Sequence, residues 1–512
     1  MERISGTQKR FTVLDVPTGG GKSLGYIASA ILKNRADGGR TAILTQSKHL
    51  QGQLQRDFGA VIFDIRGKKN YACKETFGQE ITPVDGFTVE NAPCNDGYEC
   101  YKRHKGCTYY DALREAKVAP IVSTNYHYWL AQRTFSDGLG DFSTIVLDEA
   151  HGAGDVVCAF MAVQFEKLDV DYCGFRMPDK EAGTEEWARW WAYVKETGAQ
   201  TLEDGDLDNN KRQKIALKRL VKETERAQEV GEGWVRKVEE WGHGKRKRVK
   251  VTFCPVWPGR YLSRLVGATE KVVLTSATIT AKTVELLGIQ KGDYDFREFK
   301  SEFVAERRPF YYIPVAAINS RHSDESNEAA FAKIVKAATV ITNMRKTERG
   351  LIHSVSYGRM RDFLRLAGAE TQGVEFRGHE SGKLGEALEW LKGGVGRVLV
   401  SPSAQEGVDL PDDLCRYQII LKVPFQDSRD PVTKARMRDD EEYSFYCVGQ
   451  TISQMYGRVM RNRGDWGETF MLDSNWGWVR GKVGEYVPKW VWEAEKQMRT
   501  IPKPLQVGGR DE

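Results

Sequence analysis

The chain has 512 residues, too many for one hydrophobic core, which implies about three or four domains. Charged residues make up 29% of it but the net charge is only +5, so any nucleic-acid surface is a local patch and not a global excess. No apolar run approaches the roughly 18 residues that span a bilayer, and the opening MERISGTQKR lacks the apolar stretch of a signal peptide. A cytosolic protein with no membrane partner is therefore expected. Nine cysteines, an odd number, argue against a disulfide framework and for metal ligation by some of them.

The first strong pattern is Thr12 to Leu24, TVLDVPTGGGKSL. An apolar β-branched run ends in Pro17-Thr18, passes through Gly19-Gly20-Gly21, and meets Lys22-Ser23 at the head of a helix-forming segment, Leu24 to Lys33. A strand, a glycine loop and a helix N-terminus in that order cradle phosphate. The glycines let N–H groups turn inward, the helix dipole adds partial positive charge, Lys22 adds a full one, and the Ser23 hydroxyl can ligate Mg²⁺. Such a run also suits a flexible linker, but a linker does not sit between a buried strand and a helix. The expected ligand is a nucleoside triphosphate held by Thr18, Gly19, Gly20, Gly21, Lys22 and Ser23. Val16 stands where the first glycine of G-x-x-x-x-G-K-[ST] is usual.

Gly38-Gly39 closes the first helix, Thr41 to Thr45 predicts a buried parallel strand and Leu50 to Phe58 a helix, completing a βαβ unit. Between Gly67 and Gly106 the periodicity collapses into an insertion rich in Gly, Pro, Cys and Lys, and resumes with a helix from Tyr109 to Lys117 and a strand from Ile121 to Thr124. Within the insertion, Cys73, Cys94, Cys100 and Cys107 offer four thiolates, the ligand set of either a [4Fe–4S] cluster or a tetrahedral zinc, and their spacing does not choose. The other five, Cys158, Cys173, Cys254, Cys415 and Cys447, sit among apolar neighbours and read as ordinary thiols. Arg66, Lys68, Lys69, Lys74, Lys102, Arg103 and Lys105 interleave with Tyr71, Tyr98 and Tyr101. That mixture suits a single-strand channel, and equally a solvated rim around a structural metal.

Strand Thr144 to Leu147 runs into Asp148-Glu149-Ala150-His151, which places two carboxylates at the C-terminal edge of a sheet, where open α/β folds bind ligands. Asp148 is expected to hold Mg²⁺, and Glu149 to orient and deprotonate the attacking water. From Gly152 to about Lys250 the pattern predicts a mainly helical insertion with Trp187, Trp190, Trp191 and Trp234 as core. Its basic run Lys245 to Arg248 suits phosphate contact or a solvated loop equally. The sheet returns at Val272 to Leu274. A second α/β domain follows, with strands near Leu351 to Val355, Val398 to Ser401, Gln418 to Val423 and Phe470 to Asp473. Its predicted helices are Met360 to Leu366, Leu384 to Leu391 and Tyr443 to Met460. On the last helix, Gln454, Arg458 and Arg461 share one face, and the two guanidiniums could serve as arginine fingers. Ser403 to Leu410 offers Glu406, Gly407 and Asp409 to the same cleft, Asp409 as a cofactor-binding candidate.

The ordered set VPTGGGKS, VLDEAH, LTSAT, SAQEGVDLP and QMYGRVMR resembles motifs I, II, III, V and VI of DEAH-box superfamily 2 helicases, and GKKNYAC with CTYYDAL is similar to their DinG/XPD branch. The resemblance runs from Val13 to about Trp476. It implies an α/β fold of two RecA-like parallel-sheet motor domains, with an iron–sulfur domain and a helical arch inserted in the first. The implied boundaries are 1–66, 108–151 and 251–285 for the first motor, 67–107 for the iron–sulfur domain, 152–250 for the arch and 286–512 for the second motor. It also implies a monomer that uses ATP and Mg²⁺ for 5′-to-3′ unwinding of single-stranded and forked DNA in repair or replication. Lys22, Ser23, Asp148, Glu149, Gln454, Arg458 and Arg461 match the family's ATPase positions, and Cys73, Cys94, Cys100 and Cys107 its [4Fe–4S] ligands. Only eleven residues precede the first predicted strand, so the family's upstream adenine-reading Gln is missing or displaced to Gln8. The same residues also fit a nucleic-acid-stimulated ATPase that translocates or remodels without separating strands.

Overall fold

The computed structural model describes residues 8–74, 87–95, 99–205, 207, 210–242, 247–319, 323–368, 370–405, 408, 410–459 and 464–506. The chain opens with β1 (Phe11–Asp15), whose five residues are all buried, as a strand covered on both faces must be. Helix α1 (Lys22–Asp37) follows the glycine loop and stops at Gly38, which adopts φ 70° and donates its N–H to Asn34 O. Then come β2 (Thr41–Thr45), α2 (Lys48–Phe58) with Ser47 as N-cap, and β3 (Phe63–Asp64). After the cysteine-bearing segment the chain resumes with α3 (Thr108–Val118), β4 (Ile121–Asn125), α4 (Tyr126–Phe135) and β5 (Thr144–Asp148).

Helix α5 (Ala153–Met161) leads into the second insertion, which holds β6 (Val163–Glu166), α6 (Thr184–Glu203), α7 (Lys211–Arg226), β7 (Trp234–Trp241) and β8 (Arg248–Pro255). Its three strands form an antiparallel sheet in the order β6-β8-β7, which the mainly helical expectation missed. The sequence disguises the sheet because Val249, Val251 and Phe253 alternate with charged and polar residues, a pattern of period two buried in a charge-rich stretch. Phe253 packs edge-on against Trp187 and Trp191, with ring centroids 5.2 and 5.1 Å away. Trp187, Trp190 and Trp191 are buried, as expected for core.

The chain returns to the first sheet with β9 (Lys271–Ser276) and β10 (Tyr294–Glu298), giving seven parallel strands in the order β10-β1-β9-β5-β2-β4-β3. Strand β10 lies beyond the expected boundary at 285. Its polar sequence YDFRE fits a sheet edge, where no apolar run is needed.

The second sheet runs β13-β14-β15-β12-β16-β17-β11-β18. Its strands are β11 (Phe310–Ala316), β12 (Gly350–His353), β13 (Glu370–Thr371), β14 (Val374–Arg377), β15 (Arg397–Ser401), β16 (Tyr417–Ile420), β17 (Glu468–Asp473) and β18 (Glu495–Gln497). All neighbours are parallel except β13 and β14. Its longer helices are α8 (Asp324–Met344), α9 (Tyr357–Ala367), α10 (Leu384–Lys392), α11 (Pro431–Asp439) and α12 (Tyr443–Tyr456). Helix α12 was expected to reach Met460 but ends at Tyr456. Gly457 caps it and Arg458 N bonds Met455 O at 3.1 Å, so Arg458 lies in a turn past the helix and not on its face. Among the described residues no helix is long and apolar enough to cross a membrane.

The two domains meet through polar contacts. Arg436 on α11 donates to Val256 O at 2.7 Å and to Asp155 Oδ1 on α5 at 2.6 Å, and Thr283 Oγ1 lies 3.0 Å from the Tyr446 hydroxyl on α12.

Candidate nucleotide site at the edge of the first sheet

Sheet order assembles this site. Strand β9 lies between β1 and β5, with Ser276 opposite Asp15 and Thr275 opposite Asp148, so three loops leave the same C-terminal edge side by side. The glycine loop has Gly19 at φ 77° and Gly21 at φ 71°, both in the left-handed region. A methyl group on Gly20 would stand 3.0 Å from Pro17 O, so the backbone there is tight as well as turned.

Lys22 Nζ lies 3.1 Å from Asp148 Oδ1 and donates a hydrogen bond to Glu149 Oε1. Burial opposes the Lys22 charge, but the two carboxylates outweigh it and hold the ammonium above its ordinary pKa. Burial likewise raises the pKa of Asp148, with Lys22 pulling the other way, whereas Lys22 and His151 overcome burial and keep Glu149 well below the usual carboxylate range. Tyr126 donates to Asp148 O at 2.9 Å and Tyr26 to Asp148 Oδ2 at 3.3 Å, which fixes the acid's orientation. Glu149 has φ 52°, a left-handed conformation that costs a non-glycine residue about 1–3 kcal/mol and persists where the surroundings enforce it. This turn brings two consecutive carboxylates to one lysine, although in an extended strand they would point to opposite faces.

Two further residues complete the site. Ser276 donates to Glu149 Oε2 at 3.1 Å, and His151 Nδ1 lies 2.8 Å from the Ser276 hydroxyl. Neither was a candidate from sequence, because Ser276 and Glu149 are 127 positions apart and only the sheet order joins them. His151 Nε2 is buried without a hydrogen-bond partner among the described residues, and His151 lines a cavity of about 410 Å³ shared with Gln454, Arg436 and Tyr446 of the second domain.

The second domain approaches the loop through Gly457, where an added methyl would stand 3.2 Å from Thr18 Oγ1. Arg458 Nη1 donates to Val408 O at 2.9 Å and its Nε to Gln454 O at 3.2 Å. Arg461, Asp409, Glu406 and Gly407 lie outside the described residues.

Residues 340–494 match the helicase C-terminal domain family and residues 66–170 the DEAD_2 family. The ATP-dependent DNA helicase YoaA of Escherichia coli is 22% identical, over 90% of this chain and 88% of that protein. A probable ATP-dependent helicase of Methanocaldococcus jannaschii is 26% identical over 28% of this chain, and that match spans only 25% of its own length. An XPD helicase structure superposes with a TM-score of 0.63 at 16% identity, covering 97% of this chain and 98% of that one. The Xpd4 structure of S. tokodaii superposes with a TM-score of 0.58 at 12% identity, covering 97% of each. The chain is a DinG/XPD-like helicase of superfamily 2. Its two parallel sheets are accordingly the RecA-like motor domains of that architecture.

In this helicase the described residues of the cysteine-bearing segment form only short turns and an isolated bridge. Cys73 N donates to Phe87 O at 3.2 Å, Cys107 N to Lys102 O at 3.0 Å, and Ala72 and Thr88 form an isolated bridge. Cys73, Cys94, Cys100 and Cys107 line one small cavity beside Arg103 and Tyr110. Burial, then the neighbouring Cys100 and Cys73, raises the pKa of the Cys94 thiol. None of the four forms a disulfide, and among the described residues no three His, Cys, Asp or Glu side chains are gathered to hold a metal ion. Of the expected channel rings, Tyr71 instead packs edge-on against Tyr109 at 5.6 Å, Tyr101 is 70% exposed, and Tyr98 lies outside the described residues. Arg103 sits over the Tyr110 ring at 4.7 Å.

Proposed function

We propose that this chain is an ATP-dependent DNA helicase that translocates 5′ to 3′ as a monomer on single-stranded and forked DNA. The observation that carries the reading is Lys22 bound to both Asp148 and Glu149, with Glu149 linked through Ser276 and His151 to the cavity shared with Gln454. The likeness to E. coli YoaA, named an ATP-dependent DNA helicase, supports the DNA substrate.

A bound Mg²⁺ would neutralise phosphate charge, and Ser23 and Asp148 are the residues that would hold it. The triphosphate competes with Asp148 and Glu149 for Lys22, and its arrival frees the Glu149 carboxylate. That carboxylate, kept ionised, orients the attacking water and takes its proton. Ser276 and His151 carry the change at Glu149 towards Gln454. Arg458 must exchange two backbone carbonyls for phosphate oxygens, which ties hydrolysis to closure of the second domain onto Gly457 and Thr18.

The four cysteines fit a [4Fe–4S] cluster. They line one common cavity, as four thiolates held by a single group would, and the choice of the cluster over zinc rests on the resemblance to the DinG/XPD branch. Such a group would supply thiolate bonds that tie together a segment whose described residues form only short turns. In this reading residues 67–107 form the cluster domain and 152–250 the arch.

The test is strand displacement on duplexes with 5′ or 3′ single-stranded tails. Opening of the 5′-tailed duplex alone is expected. Opening of the 3′-tailed duplex alone would reverse the polarity, and stimulated ATP turnover with neither opened would make the protein a translocase.

A further inference from the structure

Trp478 follows β17 and leaves 54% of its surface exposed, unusual for so large an apolar ring. One face of the indole stacks on Phe425 at 6.2 Å with the planes 20° apart, and Phe445 meets it edge-on at 6.1 Å. Its Nε1 donates to Asn475 Oδ1 at 3.4 Å. The segments after β16 and β17, which carry Phe425 and Trp478, are tied together. The buried Asp473 carboxylate accepts from Val423 N at 2.9 Å on one loop and from Asn475 N at 2.9 Å on the other. Asn475 Nδ2 in turn donates to Ile318 O at 3.1 Å. The stack is therefore preorganised, with little ordering cost left for a ligand.

Its neighbours carry positive charge. Strands β12, β16 and β17 are adjacent, and their C-terminal ends lead to Arg359, Lys422 and Trp478 respectively. Lys422 stands close enough to Arg359 and Asp473 for their charges to bear on it and makes no ion pair among the described residues, while Arg359 also pairs with Asp362 at 3.6 Å, an exchangeable surface contact. Gln426, next to Phe425, lines the cavity between the motor domains, so the stack opens beside the cleft. Cations for phosphates beside an open aromatic face are what a single strand requires, because every base has a π-face to stack.

We propose that Trp478, backed by Phe425 and Phe445, is a stacking platform for one base of a single-stranded nucleic acid whose phosphates lie along Lys422 and Arg359. This rests on the helicase reading, since it supposes a strand crossing the second motor domain.

The test is fluorescence anisotropy on the full chain with labelled oligo(dT), oligo(rU) and an oligo(dT) carrying an abasic tract. The parent, Trp478→Ala and Trp478→Phe are compared. Trp478→Ala is expected to bind base-bearing strands about 5- to 100-fold more weakly, the range for one lost stacking contact. It should lose nothing further on the abasic strand, while Trp478→Phe stays within about threefold of the parent and ATP turnover without nucleic acid is unchanged in both. A loss on dT alone or rU alone assigns the strand's sugar. Equal binding by Trp478→Ala and the parent overturns the platform and leaves the helicase reading standing. An equal loss on base-bearing and abasic strands overturns it too, because the ring would then act only through the fold. A parent that binds no strand overturns both.

Discussion

The nucleotide site and the cysteine segment belong to the same half of the chain but are built by opposite means. At the first, three adjacent parallel strands fix where Lys22, Glu149 and Ser276 stand, and these three side chains are bonded to one another before any ligand arrives. At the second, four thiols ring a cavity within irregular backbone. The difference teaches that a site made by sheet register tolerates loss of its chemistry without loss of shape, whereas a site made by ligation loses its shape with its ligand.

Substitutions in the nucleotide site should therefore cost turnover and spare the fold. Glu149→Gln is expected to lower steady-state ATP turnover by about a thousandfold, with nucleotide still bound and the melting temperature unchanged. The amide fills the same space and can keep hydrogen bonds to Lys22 and Ser276, so a large drop in melting temperature would break the comparison. Arg458→Ala comes next, at about a hundredfold in turnover with ATP affinity within a few-fold, as for a group engaged mainly in the transition state. Weaker binding with undiminished turnover at saturation would remove that role.

Cys100→Ser should show the reverse. Nucleic-acid-independent ATP turnover should fall by less than about threefold, because the first sheet and its loops are untouched. The brown colour and strand opening should be lost, and limited proteolysis should cut within residues 67–107. Colourless parent protein with stoichiometric zinc would replace the cluster but keep the four ligands.

The smallest effect is a control inside the second sheet. His353 on β12 is fully buried with Nε2 2.9 Å from Gln418 Oε1, and burial, opposed by that hydrogen bond and reinforced by the charge of Arg458, pulls its pKa down to about 4. The unfolded chain takes up this proton near pH 6.5 and the folded chain does not, so stability is full above that pH and is lost as pH falls towards 4. At pH 5 the loss is about 2 kcal/mol, and His353→Gln should abolish this share of the acid-induced drop in melting temperature. An unchanged pH profile in that variant would assign the acid sensitivity elsewhere.

Much of this was readable in the sequence where burial is two-sided. Strands such as TAILT and TIVLD are apolar throughout and announce parallel sheet, and the acids that follow TIVL mark the sheet edge. Edge elements were not readable. β10 and β7 need no apolar run, and α12 was extended past Gly457 because helical spacing alone does not see the cap. Helix α8 carries a start signal in Ser323, which caps Ser326 N, followed by acidic Asp324 and Glu325, yet its mixed apolar and polar face passed unread. Glu149 was identified from its neighbours in sequence, whereas Ser276, 127 positions away, joins it only through the order of strands.

The central claim, that ATP hydrolysis at the first sheet drives strand separation, is tested most directly by single-turnover displacement of a forked duplex. The parent is measured with ATP and with a non-hydrolysable analogue, and Glu149→Gln with ATP. Displacement by the parent with ATP alone is the expected result. Equal displacement with the analogue or by Glu149→Gln would contradict it, since strand opening would then owe nothing to hydrolysis.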